Sequence, residues 1–279
     1  MNSGQNTRKR ISNFLVICLL FFTAPTFAAP PEITVGIVPQ QSATELARVW
    51  IPLLQEAAAR SGVALVFRTA PDIPTFEERL KHGEYDIAYM NPYHYTVFSR
   101  SPGYKAFAKE KDRQLVGIIV VAKNSPISDI KQLAGKAVAF PAPGAFAASI
   151  LPRAEFSRLE IPVEPRYVNS HDSVYLGVAQ GVFVAGGGIK RTLEAIDPEI
   201  SSRLRILTTT PGYVPHAFAA HPRVNSETIN KVLIGLNSLA NDEDGRKLLT
   251  PLSFKAIEAA TDRDWNAVRQ IKIEQVIGR

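Results

Sequence analysis

Gly83-Glu84-Tyr85-Asp86-Ile87-Ala88-Tyr89-Met90-Asn91-Pro92 joins a turn signal to a short β-rich run. The glycine falls where a helix expected over residues 73–82 must stop, because a residue that tolerates positive φ suits a C-terminal cap. Residues 85–89 then read as a strand. Upstream, residues 32–39 and 63–67 are two more β-rich runs. Between them, residues 43–60 place Leu46, Val49, Trp50, Leu53, Leu54 and Ala57 at helical spacing. Strand, helix, strand, helix, strand describes parallel βαβ units.

Downstream the pattern crosses over and repeats. Residues 115–122 form a continuously apolar strand leading into a second α/β unit. That unit is expected to hold a short helix at 129–134, a strand at 137–140, a helix at 145–159, a strand near 166–168 and a helix at 172–180. A strand at 182–185, a helix at 189–196 and a strand at 204–207 complete it. The chain returns through residues 211–215 into a strand at 216–220 and helices at 226–239 and 242–249, and ends in an amphipathic tail from about Trp265. The expected organisation is two α/β lobes, residues 29–116 with 212–279 and residues 117–211, each a mainly parallel sheet flanked by helices. Two segments cross between them. Ligands of open α/β sheets sit beyond the carboxyl ends of the strands, which directs attention to the loops facing the cleft.

Composition narrows the function. Of 279 residues, 46% are hydrophobic and 21% charged, which excludes a disordered chain. The single cysteine, Cys18, excludes a cystine framework and argues against structural zinc or a cysteine nucleophile. Arg8-Lys9-Arg10, an apolar run over residues 11–22 and the small residues before Pro30 read as a secretory signal peptide cut near Ala28. The run is nearer a dozen residues than the roughly 20 of a membrane span. Losing residues 1–28 lowers the net charge from +6 to +3, and the remaining basic residues are scattered, so no nucleic-acid partner is expected. The expected location is the periplasm.

Three cleft segments carry candidate chemistry. Pro141-Ala142-Pro143-Gly144-Ala145-Phe146-Ala147-Ala148-Ser149 lies between a strand and a helix, where free N–H groups suit an anion; it reads equally as an ordinary turn of small residues. Tyr89-Met90-Asn91-Pro92-Tyr93-His94-Tyr95 packs hydroxyls, an amide and an imidazole at a cleft edge, although some of its tyrosines serve only packing. In Asn169-Ser170-His171-Asp172-Ser173 the imidazole can donate to an oxyanion while Ser170 or Asp172 caps the helix. His171 also reads as a satisfied surface histidine. No metal spacing, nucleotide loop, nucleophile elbow or ordered catalytic set is present, so no cofactor, metal or catalytic residue is expected.

These segments, with Ile33-Thr34-Val35-Gly36-Ile37-Val38-Pro39, Trp50-Ile51-Pro52-Leu53, residues 83–92, residues 125–136 and Ser170-His171-Asp172, resemble the periplasmic substrate-binding proteins of phosphate, phosphite and phosphonate ABC transporters. The resemblance spans about residues 32–250. It implies a type II periplasmic-binding fold whose lobes close over a small oxyanion, presented to an ABC transporter permease. It implies ligand contacts from Tyr89, Asn91, Tyr93, Ala145, Phe146, Ala147 and His171, in a monomeric protein. The alternative is a ligand-sensing or ligand-poor component that signals through a membrane sensor kinase. Two departures are evident. The family's Asp-Pro-x-Ser-Thr-Ser-Gly turn stands here as Ala142-Pro143-Gly144-Ala145-Phe146-Ala147-Ala148, without its three hydroxyls. Val184 replaces the aspartate of Gly-x-Val-Asp-Ala, which disfavours aminated phosphonates.

Overall fold

The computed structural model describes Met1, residues 32–271 and Ile273. Residues 2–31, and with them the expected leader and its cleavage site, lie outside the described residues. Two sheets organise the rest. The first contains β1 (Ile33–Ile37), β2 (Leu65–Arg68), β3 (Ile87–Met90), β4 (Lys105–Glu110), β10 (Ala217–Ala220) and β11 (Ile257–Ala259), in the order β11-β4-β10-β3-β1-β2. The second contains β5 (Gly117–Ala122), β6 (Ala137–Phe140), β7 (Glu164–Tyr167), β8 (Ala185–Ile189) and β9 (Leu204–Thr209), in the order β7-β6-β8-β5-β9.

Both sheets are mixed, rather than mainly parallel as the sequence suggested. The βαβ strands pair in parallel, β1 with β2 and β3, and β6 with β7 and β8. The strands at the crossovers run the other way: β10 is antiparallel to β3 and β4, and β5 is antiparallel to β8 and β9. The chain leaves and re-enters each lobe through these strands, which reverses their direction. The connectors between β4 and β5 and between β9 and β10 themselves pair. Leu115 N donates to Tyr213 O at 2.7 Å and Tyr213 N to Leu115 O at 3.0 Å.

The helices follow the apolar spacing. α1 (Ala43–Ser61) buries Leu46, Trp50, Leu53, Leu54 and Ala57, starts at a Ser42 cap and ends at Gly62 with φ 68°. α2 (Ile73–Lys81) and α3 (Pro92–Phe98) begin at Asp72 and Asn91 caps. In the second lobe stand α4 (Leu151–Arg158), α5 (His171–Ala179), α6 (Lys190–Ala195) and α7 (Pro198–Ser201). α8 (Ser226–Ser238), α9 (Glu243–Leu249) and α10 (Asn266–Arg269) return to the first. Among the described residues, no helix is long and apolar enough to cross a membrane.

Two local readings change. The helix expected over residues 145–159 begins as a π-helical turn, Phe146–Ile150, before α4. Pro152 explains the slip: it has no N–H to offer the Ala147 or Ala148 carbonyl. Those carbonyls instead abut strand glycines, so a methyl at Gly117 would collide with Ala147 O and one at Gly187 with Ala148 O. The strand expected at 182–185 is β8 at Ala185–Ile189, because the glycine run forms the strand itself. A methyl at Gly186 would strike Val174, and one at Gly188 the Tyr175 hydroxyl. The largest apolar core runs from the first sheet across the cleft to Ala142, residues 145–148, Ile150, Leu151 and Ile189.

Candidate ligand site between the lobes

The π-helical turn brings Ala145, Phe146, Ala147 and Ala148 to the cleft, all nearly inaccessible to solvent. Facing them is the end of β3. Asn91 accepts from His94 N at 2.8 Å through Oδ1, capping α3, and donates from Nδ2 to Gly144 O at 2.9 Å. Beside it, His94 Nε2 donates to Glu77 Oε1 at 2.9 Å. That carboxylate packs so closely on Gly144 that a methyl there would collide with it.

His171 opens α5 behind its cap, Ser170, whose hydroxyl accepts from Ser173 N at 3.0 Å. The ring is buried, with Nδ1 3.2 Å from Thr192 Oγ1, and Thr192 is tied in turn to the Tyr175 hydroxyl at 2.7 Å. Burial, reinforced by the Arg191 charge, pushes the His171 pKa down to about 3, so the imidazole is neutral at pH 7.

A cavity of about 10 Å³ lies among Val38, Gln40, Ile73, Asn91, Leu115, residues 145–148, His171, Ile189 and His216. It has room for about one water molecule. Of the residues expected to touch ligand, Asn91, Ala145, Phe146, Ala147 and His171 line it. Tyr89 and Tyr93 do not. Tyr89 lies inside the first lobe, stacked on His216 at 4.8 Å and donating to Glu110 Oε1 at 2.5 Å. Tyr93, half-buried, packs on the large apolar core.

Three further participants carry no local signal in the sequence. Arg191, from α6, reaches across the cleft to donate to Gln40 Oε1 at 2.5 Å, stands 3.8 Å from Glu110 Oε1, and lies over the Phe254 ring at 5.8 Å. Burial works against its charge, but Tyr89 and Glu110 more than offset this and raise its pKa. Gln40 Nε2 lies 3.2 Å from His216 Nε2. His216 is buried, and burial together with the Arg191 charge holds its pKa well below the usual histidine value. Its Nδ1 has no hydrogen-bond partner. These residues come from three distant segments, and no local pattern links them. Among the described residues, no cluster of His, Cys, Asp or Glu is arranged to hold a metal ion.

The family model for the periplasmic substrate-binding proteins of phosphonate ABC transporters matches residues 35–265. The chain belongs to this family. Among its relatives is the phosphate-import protein PhnD of Mycolicibacterium smegmatis, 21% identical, with 87% of this chain and 85% of that protein aligned. The PhnD1 protein of Prochlorococcus marinus, solved in complex with methylphosphonate, superposes with a TM-score of 0.80 at 17% identity, over 90% of this chain and 99% of that one. A binding protein component of an ABC phosphonate transporter from Pseudomonas aeruginosa gives 0.79 at 16% identity, over 89% and 88%. The two-lobed α/β fold expected from the sequence is thus that of the family's solved members.

Proposed function

We propose that this family member captures a small phosphonate- or phosphate-like oxyanion between its lobes and delivers it to an ABC importer, acting by binding and without catalysis. The chain is read as a periplasmic monomer, exported by the leader over residues 1–28 and cut near Ala28. The observation that supports this reading best is the convergence of Asn91, His171 and residues 145–148 on one cavity between the lobes. Donors from both lobes meet there, so a bound anion would bridge them. The lining is desolvated, which strengthens each contact to a charge. At about 10 Å³ the cavity is smaller than any phosphonate, so capture requires the lobes to part first and then close over the ligand.

The test is a thermal-shift and calorimetric panel of phosphate, phosphite, methylphosphonate, 2-aminoethylphosphonate, sulfate and small carboxylates. A ligand at 100 times its Kd adds about 2.7 kcal/mol to stability. A selective phosphorus oxyanion whose binding is lost in His171→Ala supports the reading. A flat panel from folded protein overturns it.

A further inference from the structure

Arg191, Gln40 and His216 form a chain whose proton positions follow from donor and acceptor arithmetic. A guanidinium can only donate, so the Gln40 atom 2.5 Å from Arg191 is the carbonyl oxygen. The other end of that carboxamide is therefore an NH2 donor, and it is the end that meets His216 Nε2 at 3.2 Å. Nε2 must then accept. A neutral imidazole carries one proton, so the proton resides on Nδ1. That atom is buried without a partner, on a residue that lines the cavity between the lobes. A buried donor left unpaired is costly, and an acceptor placed beside it recovers that cost.

We infer that His216 Nδ1–H is a ligand-binding donor of this site, held in that tautomer by the Arg191–Gln40 pair. This rests on the oxyanion-binding reading above and adds its selectivity. Arg191 belongs to the second lobe, whereas Gln40 and His216 belong to the first, so the relay is completed only when the lobes meet. His171 approaches from the second lobe, and the ligand is met by an imidazole from each side. The side chains that line the cavity include no carboxylate. The ligand class that fits turns acceptor oxygens alone toward His216. An ammonium brought to that face would meet an N–H and no acceptor, so aminated phosphonates are rejected there.

Gln40 and Arg191 are positioning residues, and Gln40→Glu tests that role. A carboxylate at position 40 accepts from Arg191 and, through its other oxygen, from His216 Nε2, which moves the proton off Nδ1. Imidazole 15N NMR reads the tautomer directly. The expected result is Nδ1–H in the native protein and Nε2–H in Gln40→Glu; native Nε2–H, or no change on substitution, overturns the relay.

Affinity reads the ligand contact. His216→Phe keeps the ring on Tyr89 without a donor and is expected to weaken methylphosphonate binding about 10-fold or more. His216→Asn, whose amide nitrogen stands near the Nδ1 position, is expected to recover most of that loss. Gln40→Glu weakens methylphosphonate and narrows its advantage over 2-aminoethylphosphonate. Equal affinity of His216→Phe and the native protein, or no recovery in His216→Asn, overturns the contact. If no anion of the panel binds the native protein, the oxyanion reading and the contact fall together, while the tautomer still decides the relay.

Discussion

The Asn91 carboxamide donates across the cleft to the Gly144 carbonyl at 2.9 Å while its own oxygen caps α3. One side chain thus starts a helix in the first lobe and holds the turn that precedes Phe146 in the second. The two roles separate by substitution. Asn91→Ala removes both and is expected to lower stability by about 1 kcal/mol for the cap alone. Asn91→Asp still accepts from His94 N but sets a carboxylate against the Gly144 carbonyl, so the lobes part. Urea denaturation reads the first effect and the radius of gyration in solution scattering reads the second; an unchanged radius for Asn91→Asp removes this bond from the closure.

Gly144 is small for a steric reason, since its φ is not positive and the backbone itself accepts alanine. The Glu77 carboxylate occupies the space a methyl would need. Gly144→Ala is therefore expected to push the Glu77 carboxylate aside, breaking its bond to His94, and to weaken ligand capture several-fold, with the fold of each lobe retained. In a Glu77→Ala background the glycine change should cost little more, a coupling that a double-mutant cycle measures. An equal loss in that background assigns the glycine another role.

Two of the buried imidazoles, His171 and His216, make stability depend on mild acid. The folded-state pKa of His171 is about 3, below the ordinary 6.5, and that of His216 is lowered in the same direction. Below pH 6.5 the unfolded chain takes up protons that the native protein refuses, so this stability is present above 6.5 and is lost as pH falls. The expected loss between pH 6.5 and 5 is roughly 2 kcal/mol for His171, and His216 adds to it in the same direction. Urea titrations at pH 7, 6 and 5 check it, and His171→Gln should remove its share of the slope. A flat profile shows that the rings protonate freely.

Restoring hydroxyls at Ala145 and Ala147 should trade stability for affinity. Both side chains are buried, and an unpaired hydroxyl there costs about 1–3 kcal/mol. The double change Ala145→Ser with Ala147→Ser is expected to lower Tm without ligand and to enlarge the upward shift produced by methylphosphonate. A lower Tm with no larger shift means that these positions do not face the anion.

Much of this molecule was legible in its sequence, and the exceptions share a cause. The βαβ half of each lobe announces itself by apolar periodicity and capping glycines, as at Gly62 and Gly83. β4, Lys-Ala-Phe-Ala-Lys-Glu, gives little signal because lysines and a glutamate interrupt its apolar run, and three-residue β11 gives less. Their pairing is decided by the partner strands. Asn91 stood out because it follows a strand within a polar and aromatic run at the cleft edge, although its cap on α3 was not foreseen, and His171 because it sits at a strand-to-helix turn. Arg191, Gln40 and His216 were not, since their contacts span 151 and 176 residues of chain. The loss of hydroxyls at residues 145–147 was plain in the sequence. That Phe146 and its neighbours fill the cleft as an extension of the apolar core was a matter of packing.

The pairing of Leu115 with Tyr213 turns two connectors into one short antiparallel ribbon. Two independent strings would let the lobes shear, twist and separate in many ways. A ribbon resists sliding along its own hydrogen bonds and yields mainly by bending, so the motion it permits approaches a single coordinate. A transport partner that recognises only the closed form would then meet few intermediate shapes.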